Sequence, residues 1–248
     1  MKSTEQLSQA LSRFQPTGSL PRSHLFHFAN DTGFSAVLTQ LAKVKFLKSA
    51  SKKISVAILV GQSYALSIAP EVFTHFDLVI FADINFQLHK ILQKQLELFL
   101  ALSPEEETNK VAIRFYTQLL TQAFGISPEE IKDGRYSGKI HEWRNLNTLI
   151  SSHALAGETG GALEKHYCFT SKERMQACQE AIKTAAKKLV FLHANLFDPK
   201  DIGQIAAMLN QHHAEISLFN ATNLAKWAVK KSLPWSSPKC AVNSFSPK

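Results

Sequence analysis

Residues 54–60 read ISVAILV and residues 77–83 read DLVIFAD. Both runs are apolar almost throughout and rich in β-branched or large side chains, with no polar residue on alternate positions. Such runs suit strands covered on both faces, the condition of a parallel sheet. The intervening stretch, GQSYALSIAP over 61–70, leaves the first strand on a glycine and leads into a short helix that Pro70 is expected to close. Strand, helix and strand make one crossover unit.

Downstream, a helix is expected after Asn85, with Leu88, Ile91, Leu92, Leu96 and Phe99 on one face, running to about Leu102. From Ser103 to about Lys188 the texture turns helical, and Ser103-Pro104 and Ser127-Pro128 both resemble helix N-termini with proline in the first turn. Within it, 157–161 (GETGG) is a loop candidate and 172–188 a helix. The sheet resumes over 188–195 (KLVFLHAN), Asp198 caps a helix opened by Pro199, and Ile202, Ile205, Ala206 and Leu209 face the core. A fourth strand covers 215–219, and one weak strand is read near 240–245. Upstream, a short helix around Glu5 to Phe14 precedes a loop marked by Pro16, Gly18 and Pro21. A second helix from Asp31 or Thr32 carries Phe34, Val37, Leu38, Leu41, Val44 and Leu47. The organisation expected is a helical lead-in over 1–53 and one α/β domain over 54–248. That domain is Rossmann-like and doubly wound, its mostly parallel sheet flanked by helices on both faces, with a helical insertion at about 103–188.

Composition sets bounds on function. The chain has 248 residues, of which 45% are hydrophobic and 19% charged, enough for a sizeable core and too apolar for wholesale disorder. No run approaches the ~18 apolar residues of a membrane span, and the polar start Met1-Lys2-Ser3-Thr4-Glu5 lacks a secretory core, so a cytoplasmic protein is expected. Cys168, Cys178 and Cys240 fit neither a zinc site nor a disulfide framework and are read as reduced thiols. The ten histidines show no HExxH or similar spacing, so no metal is expected. The net charge of +8 comes largely from lysine clusters such as Lys43, Lys45, Lys48, Lys52 and Lys53, or Lys183, Lys187 and Lys188. These can attract nucleic acid or another anionic partner, but a solvated helix face is the simpler reading.

Four strands end in small or polar residues: Gly61, Asp83, Asn195 and Asn220. In an open parallel sheet these ends share the edge at which ligands bind, so a nucleotide-like small molecule is expected there. Gly61 permits close backbone approach, and Gln62 and Ser63 offer amides near a helix start. Asp83 follows Gly61 by 22 positions (83 − 61), close to the ~20 expected of a carboxylate that accepts ribose hydroxyls.

In this order of elements the chain resembles class I S-adenosylmethionine-dependent methyltransferases over about 54–227, with 103–188 unmatched. The resemblance implies that the first strand and its turn, VAILVGQSYA with Gly61, Gln62, Ser63 and Tyr64, surround the methionine part of the cofactor. It implies that Asp83 in VIFADIN, followed by Ile84 and Asn85, takes the ribose. Asn195 in LHANLFD would then stand near the adenine with Leu196 and Phe197 as ring contacts. Asn220, Ala221, Thr222 and Asn223 would face the transferred methyl group. The acceptor is left open, and His193, Tyr64 and Asn220 are the candidates for placing or deprotonating it.

Blander roles stand beside these. Asp83 can equally cap the following helix, Asn195 and Asn223 are good turn formers, and Tyr64 and Trp227 suit a wall or core. A non-catalytic protein that keeps the fold and binds a partner is the alternative to an enzyme. An NAD-dependent oxidoreductase ranks third, because its fingerprint needs Gly-x-Gly-x-x-Gly and 61–66 contains one glycine.

Overall fold

The structure, a computed structural model, describes residues 4–16, 53–60, 65–133 and 167–220. In chain order these form α1 (Thr4–Ser12), β1 (Ile54–Val60), α2 (Ala69–Val72), β2 (Leu78–Asp83), α3 (Phe86–Leu100), α4 (Thr108–Phe124) and α5 (Pro128–Asp133). Then follow α6 (Lys172–Ala185), a 3-10 turn (Ala186–Lys188), β3 (Leu189–His193), α7 (Pro199–Gln211) and β4 (Ala214–Asn220). The four strands make one parallel sheet in the order β3-β2-β1-β4. The protein is therefore α/β and Rossmann-like.

The apolar strands are buried on both sides, as their sequence requires. Along β1 and β2 the side chains alternate between two apolar clusters. Ala57, Leu59, Val79 and Phe81 join one face with α2, α3, α4 and α6, while Val56, Ile58, Leu78 and Ile80 join the other with α1 and α7. Each large side chain so buried contributes roughly 1.5–3 kcal/mol. At the amino edge Asp77 joins the strands: its Oδ2 accepts the amide and hydroxyl of Ser55, each at 2.8 Å. The chain winds outward from β1 through β2 to β3, then returns past α7 to put β4 on the far side of β1. Parallel pairing leaves all four carboxyl ends on one edge.

The helices of the 103–188 region are part of the main core. Phe115 of α4 lies edge-on to Phe99 of α3 at 6.1 Å, and Gln179 of α6 donates to the carbonyls of Phe99 and Leu102 at 3.0 and 2.9 Å. Arg174 of α6 holds Glu71 through two bonds of 2.8 and 2.9 Å and also donates to the Ser67 carbonyl, tying the segment after β1 to this helix.

Two proline signals read differently in three dimensions. Pro70 stands in the first turn of α2, where its missing N–H costs nothing, so it opens that helix and does not close one. Ser103-Pro104 starts no α-helix: Ser103 Oγ accepts the Glu105 amide in a local turn, and α4 begins only at Thr108. Ser127 does begin α5, with a reciprocal capping box in which Ser127 Oγ accepts the Glu130 amide and Glu130 Oε2 accepts the Ser127 amide. The helix expected from residue 31, the 157–161 loop, Trp227 and the weak strand at 240–245 lie outside the described residues.

Leu7 and Leu11 of α1 are fully buried beneath the sheet beside Val190 and Leu192. Leu11→Ala is therefore expected to cost about 2–5 kcal/mol in urea unfolding; a loss below about 1 kcal/mol would show that α1 is not part of the cooperative core.

Candidate functional site at the carboxyl edge

β2 ends in a carboxylate and β3 in an imidazole. Asp83 and His193 are register partners on neighbouring parallel strands. By the period of two, both side chains share the face of Val79 and Phe81, on which α3 packs.

The turn from β2 into α3 is fixed by two side-chain acceptors. Asp83 Oδ1 accepts the Asn85 amide at 2.7 Å, and Asn85 Oδ1 accepts the Gln87 amide at 3.0 Å. Asn85, with extended backbone angles, is thus the N-cap of α3. Asp83 is not the N-cap itself, but its carboxylate ties the turn that leads into the helix. Burial pushes the Asp83 carboxyl up to about 6, against the opposing pull of the Asn85 and Ile84 amides.

His193 donates through Nε2 to the Ile84 carbonyl at 3.0 Å, and its ring lies 5.7 Å from that of Phe86 at 49°. Phe86, the first residue of α3, is 49% exposed, and Lys90 Nζ sits 5.0 Å from its ring centre. One turn along, His89 is buried with both ring nitrogens unpaired. Burial lowers it to about 4, and the neighbouring His193 adds to the shift. Asn85 Nδ2 is likewise buried and unpaired. Unsatisfied polar groups of this kind cost stability and call for an explanation.

At the end of β3, Asn195 closes its own turn. Its Oδ1 accepts the Phe197 amide at 3.1 Å, its carbonyl accepts the Asp198 amide at 2.8 Å, and its amide donates to the fully buried Asp201 at 2.8 Å. Leu196 and Phe197 are half-buried beside it. Asn220 ends β4 in register with Leu59. Asp83, Ile84, Asn85 and Asn195 thus gather at the β2–β3 end of the edge, and Asn220 stands on the far side of β1. Gly61, Gln62, Ser63, Tyr64, Ala221, Thr222 and Asn223 lie outside the described residues.

Phe86, His89 and Lys90 were not singled out by the sequence reading. The available signal was their spacing from the Asn85 cap, at one, four and five positions, which puts two of them in the first turn beside the strand ends.

Among the described residues no group of three or more His, Cys, Asp or Glu is placed to hold a metal, and no helix is long and apolar enough to cross a membrane. Cys168 and Cys178 are buried thiols, and burial pushes Cys178 up to about 12 and Cys168 higher still, so neither is a ready nucleophile. No protein-family model matches the chain, and neither a curated protein nor a solved structure matches it.

The raised Asp83 carboxyl has a consequence for stability. The folded chain holds this proton up to about pH 6, whereas the unfolded chain releases it near 3.8. The native state therefore binds more protons between these values, and stability falls as pH rises through that window. Asp83→Asn, which keeps an acceptor for the Asn85 amide and cannot ionise, is expected to be more stable than the wild type at neutral pH by up to about 3 kcal/mol. Chemical denaturation of both at acid and neutral pH measures this, and a variant that gains nothing at neutral pH contradicts it.

Proposed function

We propose that the carboxyl edge binds S-adenosylmethionine through Asp83 and that the protein is methyltransferase-like. The observation that carries this reading is the half-buried Asp83 carboxylate, pushed up to about 6 and standing at the end of the strand next to β1, beside but not at the N-cap of α3. A carboxylate in that condition gains from vicinal hydroxyls, which replace the water it has lost by two charge-assisted hydrogen bonds. The sheet order supports the same assignment, because a strand order that reverses at β1 opens a crevice at the strand ends.

Methyl transfer from this cofactor is an in-line displacement. A lone pair of the acceptor attacks the methyl carbon, the carbon–sulfur bond breaks toward sulfur, and the neutral thioether leaves. Positioning supplies much of the rate, and no covalent enzyme intermediate is needed. In this reading Asn220 at the end of β4, with Ala221, Thr222 and Asn223 after it in the sequence, faces the acceptor, whose chemical class is open. A fold-retaining protein that binds the cofactor or a partner without turnover is the alternative.

Calorimetric titration with S-adenosylmethionine, S-adenosylhomocysteine and NAD tests the reading. The first two are expected to bind and NAD not to. Because only ionised Asp83 accepts both hydroxyls, affinity should fall about tenfold between neutral pH and pH ~5, and Asp83→Asn should bind weakly at both. NAD binding in place of the other two would redirect the assignment to hydride transfer, and no binding by any would favour a partner-binding role.

A further inference from the structure

We infer that the amino edge of the sheet, opposite the candidate site, is an interaction surface for the phosphate backbone of a nucleic-acid duplex. Three of the clustered lysines stand at strand starts, where a solvated helix face does not account for them. Lys53 is the residue before β1, and Lys187 and Lys188 belong to the 3-10 turn that feeds β3. Lys183 stands one turn earlier, in the last turn of α6. Parallel pairing puts all four strand starts on one edge. Neighbouring strands lie ~4.8 Å apart, so the starts of β3 and β1, with β2 between them, are separated by roughly 10 Å. The exposed His213, just before β4, continues the row beside Lys53, its carbonyl accepting the Ile54 amide at 3.1 Å.

The acids of this edge do not neutralise it. Asp77 is turned onto the amide and hydroxyl of Ser55. Glu215 lies 3.8 Å from Lys53, and Glu180 pairs with Lys183 along α6 at 2.8 Å, both as exposed pairs that hold their lysines weakly. Among the described residues Lys187 and Lys188 form no ion pair. The sequence adds to the charge, because residues 32–70 hold no Asp or Glu while Lys43, Lys45, Lys48 and Lys52 lead directly into Lys53. Cations set out in a row suit an extended polyanion better than a small anion. A membrane surface would call for apolar anchors among them, but the exposed large apolar side chains are Phe86, at the opposite edge, and Ile113, within α4. Single strands are held by stacking on exposed aromatic rings, and among the described residues none is exposed at this edge. The duplex backbone remains, contacted through its phosphates and without regard to sequence.

Fluorescence anisotropy of a short labelled DNA duplex of mixed sequence, titrated with the full chain over a range of salt concentrations, tests this. The wild type should bind at low salt with an affinity that falls steeply as salt rises. The double variant Lys187→Gln, Lys188→Gln should bind about tenfold more weakly and flatten the slope of log affinity against log salt by about two, one for each lysine. The double variant Lys132→Gln, Lys200→Gln removes the same charge from exposed lysines of α5 and α7 away from the strand starts, and should stay within about twofold of the wild type. Lys53→Gln, expected to flatten the slope by about one, serves if the first double variant fails to fold by circular dichroism. Absence of binding by the wild type at low salt would overturn the inference, as would an equal loss in both double variants. Tighter binding of the single strand, or of vesicles containing phosphatidylserine, than of the duplex would also overturn it. None of these outcomes bears on the cofactor reading at the opposite edge.

Discussion

A strand without a polar face has to be covered twice, and that requirement organises this protein. β1 and β2 place Ala57, Leu59, Val79 and Phe81 under one helical layer and Val56, Ile58, Leu78 and Ile80 under another. The first layer includes α4 and α6 from the long connection between β2 and β3. The second is completed by α1, from the far end of the sequence. With both faces closed, polar chemistry is displaced to the ends of the strands. Parallel pairing then gathers the carboxyl ends onto one edge, so the constraint that builds the core also locates the candidate site.

At that edge burial acts on acid and base in opposite directions with one effect. Asp83 is driven up to about 6 and His89 down to about 4, so each is pushed toward its uncharged form. Three buried polar atoms at the start of the adjoining helix, Nδ2 of Asn85 and both ring nitrogens of His89, have no partner. These features cost folding energy in a region otherwise well packed, and such local costs concentrate where a protein binds or reacts. The proposed ribose contact gives the expense at Asp83 a purpose.

Much of this was legible in the sequence because it depends on local pattern. The limits of β1 follow from a run of seven apolar or small residues, and Asp198 and Ser127 act as the caps their types suggest. The prolines were ambiguous because a first turn and a last turn both tolerate proline nearby, and only the neighbouring hydrogen bonds decide. Asp83 and Asn85 were ambiguous for the same reason, two residues apart and both able to cap. Asn195 reads either as a neighbour of the adenine or as a turn former, and its side-chain oxygen is held by the Phe197 amide. The Phe86, His89 and His193 group was illegible as a group, since it arises only when α3 docks against the end of β3, more than a hundred residues later in the chain.

The proposed reading requires that Asp83 be a desolvated carboxyl poised for a nucleoside diol. Carbon-13 NMR titration of the aspartate carboxyls, with Asp83 assigned by the Asp83→Asn variant and recorded with and without S-adenosylhomocysteine, measures this directly. A midpoint near 6 is expected in the free protein, and it should move down when the ligand binds, because the hydroxyls favour the ionised form. A midpoint near the ordinary 3.8, or one that saturating ligand leaves unmoved, would contradict it.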